Sequence, residues 1–404
     1  MKKILVVTYG GGHARMLSPV VDHLLLLSNV QVCVLALTTA VLEFNPGRVE
    51  VLGYKDFFFQ NLDVKKYGEA LIKSLDKVVD HDEAVAYLGA NYLELIEAIG
   101  EEEAKKQFGS LGRQAFNPIK SMTHILRKIS PDLVVSTNSP RSEKAAIQAA
   151  YDLNIPAIAL VDMFAIRCEK WFAKAVFADK VLVLSESVKR YLVSKGRCEK
   201  SIIVVGNPAF DGLVKRYNKI RDKIEAKRSS LPFTVLWASQ REPEYCFETG
   251  LHGDIDLPLK VEERLVDIFS RHKDWRLIAR NHPSEVQRDY PDFVMTSSQS
   301  DDLFELLTSV HLVITLTSTV GFQGAILGAK LVTIDLSVLT PTMPFSEMKL
   351  SKGVRDLDEI EPALLSIYEN LSSSTTPVYD IDNSTERVLK EICSSLDIDD
   401  ETMD

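Results

Sequence analysis

The sequence predicts an α/β protein built from two doubly wound parallel-sheet domains facing across a cleft. Ten short, β-branched runs alternate with helix-sized segments, the pattern of parallel strands covered on both faces. The 404 residues exceed what one hydrophobic core usually supports, so two domains are expected. A charged helical segment separates the sixth run from the seventh and marks their boundary.

In chain order, ILVVTY, VQVCVLAL, DLVVST, AIALVD, KVLVLS and SIIVVG end near Gly206. TVLWAS, RLIARN, HLVITL and KLVTID begin near Pro232. The expected domains are therefore residues 1–205 and 206–375, followed by a helix and acidic tail over 376–404. Between 55 and 120 helix formers dominate without a clear strand, which reads as a helical insertion in the first domain. The basic run Lys215 to Lys227 spreads its charge around a helical repeat and reads as a solvated face. A helix is expected from about Asp356 to Asn370, and the tail DIDDETMD is expected to fray.

Composition removes several classes of function. The net charge is −10, against the basic surface that nucleic-acid binding needs, so no nucleic-acid partner is expected. The chain is 46% hydrophobic, yet no run approaches the roughly 18 to 20 apolar residues of a membrane span. The polar turn at Tyr9 cuts the first apolar run too short for a signal-peptide core, and the chain reads as cytoplasmic, with peripheral membrane contact left open. Five scattered cysteines with no C-x-x-C pair signal neither a disulfide framework nor a zinc site, and they read as buried free thiols. The sequence sets no oligomeric state.

Three stretches carry candidate chemistry. TYGGGHARM follows the first strand, so Gly10, Gly11 and Gly12 allow positive φ and bring a ligand against backbone N–H groups at a helix start. The spacing is not the dinucleotide fingerprint, and no ribose-binding acid follows the second strand, so a nicotinamide cofactor is not expected. His13 belongs to the loop or the very start of the helix. RLIARNHPSE ends a buried strand in Arg280, Asn281, His282 and Pro283, either polar cleft groups or an ordinary strand end. In TSTVGFQGAILGAKLV, Ser318 and Thr319 precede Gly321 and Gln323 at a helix N-terminus that suits a diphosphate. The acidic stretch REPEYCFETGLHGDIDLP matches no metal-ligand spacing and reads as a mobile loop over the site.

Together with GNPAFD at 206–211, these stretches resemble the GT-B superfamily of nucleotide-sugar enzymes, with two Rossmann-like domains. The glycine–histidine loop is similar to that of lipid-linked N-acetylglucosaminyltransferases. GNPAFD and TSTVGFQGAILGAKLV are similar to hydrolysing UDP-N-acetylglucosamine 2-epimerases and their transferase relatives, and NHP followed by TST resembles bacterial sialyltransferases, which use CMP-sugars. The departures bear on the reaction. Where the epimerases have an Arg-Pro-Glu turn this chain has Gly11, Gly12 and His13, and where they carry paired glutamates it has Gln323, Gly324 and Ala325. Asp162 stands at the epimerases' acidic strand end, and SQRE at their His-Arg-Arg-Glu loop.

The resemblance implies a metal-independent, inverting glycosyltransferase without a cofactor, moving a sugar from a UDP- or CMP-linked donor to a glycan or glycoconjugate acceptor. Ser239, Gln240, Arg280, His282, Pro283, Ser318, Thr319, Gly321 and Gln323 would hold the donor, and Gly10 to Gly12 would admit the sugar or acceptor. His13 or Asp162 would accept the acceptor's proton, although Asp162 reads equally as a satisfied strand-end carboxylate. A 2-epimerase or nucleotide-sugar hydrolase is the alternative, and a non-catalytic nucleotide-sugar-binding protein the third reading.

Overall fold

In the computed structural model, the structure describes residues 1–72, 79–166, 168–174, 177–246, 249–282, 284–285, 288–371 and 383–398. Chain contacts divide it into Met1–Ala209 with Asn383–Asp404, and Phe210–Asp382.

The first unit holds β1 (Lys2–Tyr9), β2 (Val30–Leu37), β3 (Glu50–Leu52), β4 (Leu133–Thr137), β5 (Ala157–Leu160), β6 (Lys180–Val183) and β7 (Ile202–Val204). Their spatial order is β3-β2-β1-β4-β5-β6-β7, parallel throughout. Ile4 to Val7 of β1 are fully buried, which explains an uninterrupted apolar run instead of an alternating one. Each such side chain contributes about 2 kcal/mol by leaving water. The helix Gly11–Leu24 packs Leu17, Val20, Val21 and Leu24 into the same core.

The segment expected to be a helical insertion forms the helices Leu62–Leu71, His81–Ile99 and Glu101–Leu111. The first two lie in backbone contact. A Cβ on Gly68 would stand 2.1 Å from the carbonyl oxygen of Val85, and one on Gly89 would stand 1.9 Å from that of Val64. Asn61 and Asp80 cap these helices through the backbone amides of Asp63 and Val64 and of Glu83. The buried Glu83 carboxylate accepts the amides of Tyr54 and Lys55, and burial raises its pKa to about 7.

The second unit contains β8 (Thr234–Ala238), the antiparallel hairpin of β9 (Tyr245–Cys246) and β10 (Leu251–His252), then β11 (Arg276–Arg280), β12 (Val294–Thr296), β13 (Leu312–Thr315), β14 (Lys330–Ile334) and β15 (Lys352–Val354). Its parallel sheet runs β12-β11-β8-β13-β14-β15. Val235, Leu265, Leu312, Val332 and Ile360 lie in its core.

Three sequence expectations change. The final helix, Ser384–Leu396, is part of the first unit: Val388, Leu389, Ile392 and Leu396 join its core, and Lys180 Nζ donates to Glu391 at 2.7 Å. The tail beyond residue 398 lies outside the described residues. The segment expected to be a mobile loop instead contains the β9–β10 hairpin. Glu242 anchors its start by accepting the Ser337 hydroxyl at 2.6 Å and the Val338 amide at 2.7 Å. Of the five thiols, Cys198 is exposed, because it stands in the connection leading to β7.

Candidate functional site

In a doubly wound sheet, ligands bind beyond the carboxyl ends of neighbouring strands whose onward connections leave in opposite directions. In the first unit this switch point lies between β1 and β4, and in the second between β8 and β13. The first brings together Gly10 to His13 and Asn138 to Glu143, and the second brings together Ser239, Gln240, Thr317 and Ser318.

At the first, Gly10 sits at φ +81°, where a side chain would be strained, whereas a Cβ on Gly12 would meet nothing within 4 Å. The glycine requirement is thus conformational at Gly10, and Gly12 leaves open space. His13 is the third residue of the helix Gly11–Leu24, which has no side-chain N-cap bond and no acid in its first turn. The amides of its first turn therefore have no side-chain cap partner. The ring nitrogen Nδ1 of His13 is buried and makes no hydrogen bond.

Glu143 was not legible as a site residue. It opens the helix Ser142–Asp152 region beneath the glycine loop, is fully buried, and accepts the Tyr9 amide at 2.7 Å and the Thr137 hydroxyl at 3.0 Å. Burial raises its pKa, and the charge of His13 works against that rise. Tyr9 lies between two cations: the Arg141 guanidinium is 4.4 Å from its ring centroid, and Arg113 donates to its hydroxyl at 2.8 Å. Arg141 keeps a buried Nε without an acceptor.

Asp162 just beyond β5 is tied down. Asn138 Nδ2 donates to its Oδ1 at 2.9 Å, the Met163 amide donates to the same oxygen at 2.7 Å, and the Asp162 amide donates to Asn138 Oδ1 at 3.1 Å. Asn207, from the GNPAFD stretch, donates to the Asp162 carbonyl at 2.8 Å. GNPAFD thus secures the strand end that carries Asp162.

At the second switch point, Ser318 caps the helix Thr319–Ile326 through the Val320 amide at 3.2 Å, with Thr319 exposed in the first turn and Gln323 half-buried one turn on. Gly321 has a packing role: a Cβ there would stand 2.7 Å from Leu331 Cδ1 and 2.8 Å from Thr315 Cγ2. Gln240 is a staple, donating to Thr317 Oγ1 at 2.8 Å and accepting the Thr317 amide at 3.0 Å.

Arg280 is buried and turns sideways, donating through Nη1 to Ser297 Oγ at 2.8 Å and to the Ser298 carbonyl at 2.6 Å. His282 is exposed, its Nδ1 within 2.7 Å of Ser284 Oγ, and Pro283 lies outside the described residues. Glu285 gathers this edge by accepting the Ser239 hydroxyl at 3.0 Å, the His282 amide at 2.7 Å and the Arg288 guanidinium at 3.1 Å. Beside it a concavity of about 820 Å³ is lined by Arg241, Ser284, Glu285 and Arg288. Arg241 follows the staple Gln240 directly, and that adjacency in SQRE was its sequence signal. Among the described residues, no group of three His, Cys, Asp or Glu side chains could hold a metal ion, and no helix is long and apolar enough to cross a membrane.

Two parallel-sheet α/β units with seven and six strands constitute the GT-B architecture. Solved structures of that architecture superpose over nearly the whole chain. The S. aureus MnaA–UDP co-structure matches with a TM-score of 0.60 at 14% identity, covering 99% of this chain and 98% of the other. UDP-GlcNAc 2-epimerase from Neisseria meningitidis, bound to UDP-GlcNAc, matches with a TM-score of 0.57 at 13% identity, over 97% and 100%. The kitacinnamycin glycotransferase matches with a TM-score of 0.56 at 13% identity, over 98% and 99%. No protein-family profile and no curated protein sequence matches the chain.

Proposed function

We propose that this protein is a GT-B glycosyltransferase that moves a sugar from a UDP- or CMP-linked donor to a glycan or glycoconjugate acceptor, with inversion and without a metal. The observation that carries the donor assignment is the second unit's switch point, where Ser318 and Thr319 open a helix with no acid in its first turn. A departing diphosphate or phosphate accepts hydrogen bonds there from backbone amides and hydroxyls, and Arg241 adds a neighbouring cation. The similarity to a UDP co-structure and to a UDP-GlcNAc complex supports the same assignment.

In the first unit His13 acts as the base. An attacking hydroxyl is weakly nucleophilic until its proton is accepted, and the imidazole stands in the first turn of the helix that follows the first strand, its buried Nδ1 without a hydrogen bond. Asp162 is the weaker base, because Asn138 and the Met163 amide already engage its Oδ1.

A second reading, a UDP-N-acetylglucosamine 2-epimerase or hydrolase, is favoured by the names of several superposed structures. Incubating the protein with UDP- and CMP-sugars, with and without glycan acceptors, separates the two. Transfer requires acceptor, whereas a free sugar or an epimer formed at a substantial rate without acceptor overturns the transferase reading. Ligand stabilisation with no product under any acceptor condition leaves a nucleotide-sugar-binding protein.

A further inference from the structure

A concavity of about 1710 Å³ in the second unit lies at the opposite end of its sheet from the switch point, along the strand starts. Seven Lys or Arg side chains line it against two carboxylates, Glu225 and Asp274. This local excess stands in a chain whose net charge is −10. Arg228 serves the fold, donating to the Leu327 carbonyl at 2.9 Å, and two cations lie over rings, Arg221 5.6 Å from the Tyr217 centroid and Lys273 6.0 Å from that of Phe293. Lys273, Arg276, Lys330, Lys349 and Lys352 have no ion-pair partner among the described residues. Lys330 is half-buried, and burial lowers its pKa, so an anion beside it would relieve an uncompensated ammonium.

The cations form two groups along one edge, at β11 and at β14 and β15, with β8 and β13 between them carrying none in the lining. Arg276, Lys330 and Lys352 begin β11, β14 and β15, with Lys273 and Lys349 three residues ahead of β11 and β15. Four strand spacings separate β11 from β15, roughly 19 Å at about 4.8 Å each. Half-exposed Phe293, Met295 and Tyr368 supply apolar wall between and beside the charges. Two groups of cations spread over this length suit an extended chain of charges better than one small anion, and the aromatic faces suit the C–H faces of sugar rings. A nucleic-acid duplex would present a convex, densely charged cylinder that the acidic remainder of this chain repels.

We propose that this groove binds an extended acidic glycan bearing carboxylates along its length. The proposal rests on the transferase reading in naming a glycan, and gives that reading an acceptor class docked away from the transfer site.

The test is fluorescence anisotropy with fluorescein-labelled oligogalacturonate at low salt and without nucleotide. Binding is expected to weaken by about tenfold or more in R276Q/K330Q/K352Q, and likewise on raising ionic strength from about 50 to 300 mM. K352E, at an exposed position, provides a single-site variant with little risk to folding and should weaken binding in the same direction. K105Q/K106Q on the first unit should bind as wild type does, and neutral maltooligosaccharide should not compete. Absence of binding, equal binding by the triple variant, or tighter binding of single-stranded DNA or anionic vesicles through the same lysines overturns the proposal. UDP and CMP stabilisation, measured in parallel, reports on the transferase reading alone and should be unchanged in the triple variant.

Discussion

At the first switch point the proposed base is His13, beside the buried Glu143. His13→Ala is expected to lower kcat roughly a hundredfold or more with little change in donor affinity, because a base acts on the chemical step. Steady-state kinetics on the folded variant checks this, and near-normal kcat would return the base role to Asp162. Glu143 escaped sequence reading because SEKAA looks like an ordinary helix start, and its importance arises from lying beneath Tyr9, far away in sequence. A second carboxylate sets a pH dependence. Glu83 has a folded pKa of about 7 against an ordinary 4.5, so the folded state binds its proton more tightly. That contribution is fully present below about pH 4.5 and is lost as pH rises through about 7. The melting temperature of the wild-type protein should therefore fall across this window, and Glu83→Gln should flatten the fall. A profile as steep in the variant as in the wild type would contradict the assignment.

Among elements, the helix Thr319–Ile326 carries the donor prediction. Replacing Ser318 and Thr319 together by alanine should weaken nucleotide binding about tenfold or more, with the circular dichroism spectrum unchanged. Unaltered affinity by calorimetry would move the donor elsewhere. The helix pair Leu62–Leu71 and His81–Ile99 is set by its glycines, so Gly89→Ala must push the Val64 backbone away and should destabilise the protein by about 2 kcal/mol or more. Chemical denaturation measures it. All ten apolar runs named from the sequence became strands, because a parallel strand buried on both faces must be apolar throughout. The additional strands were β3, β12 and β15, three residues each at or near sheet edges, and the two-residue strands of the hairpin. Such pieces are too short and too partly buried to leave a periodic signal. That Ser318, Thr319 and His13 stand at helix starts was legible because in each stretch a turn and a helix start coincide in sequence. The Gln240 staple and the sideways Arg280 were not, since their partners come from other strands.

At the scale of the molecule, the first unit is closed by the chain's last helix, whose Val388, Leu389, Ile392 and Leu396 are almost wholly buried. Ending the chain before Ser384 should lower that unit's stability by several kcal/mol, at about 2 kcal/mol for each exposed core side chain. Calorimetry should register the change in the first unit's transition. Turnover should survive EDTA, since helix N-termini and Arg241 can oppose leaving-group charge, and activity lost to chelation and restored by magnesium would refute this. The central claim, that the second unit holds a nucleotide-sugar donor, is tested most directly by thermal shift with a panel of nucleotides and nucleotide sugars. A UDP or CMP species should raise the melting temperature of the wild-type protein in proportion to its binding, and the Ser318→Ala/Thr319→Ala variant should lose that rise. No stabilisation by any member of the panel, or full stabilisation of the double variant, would contradict the account.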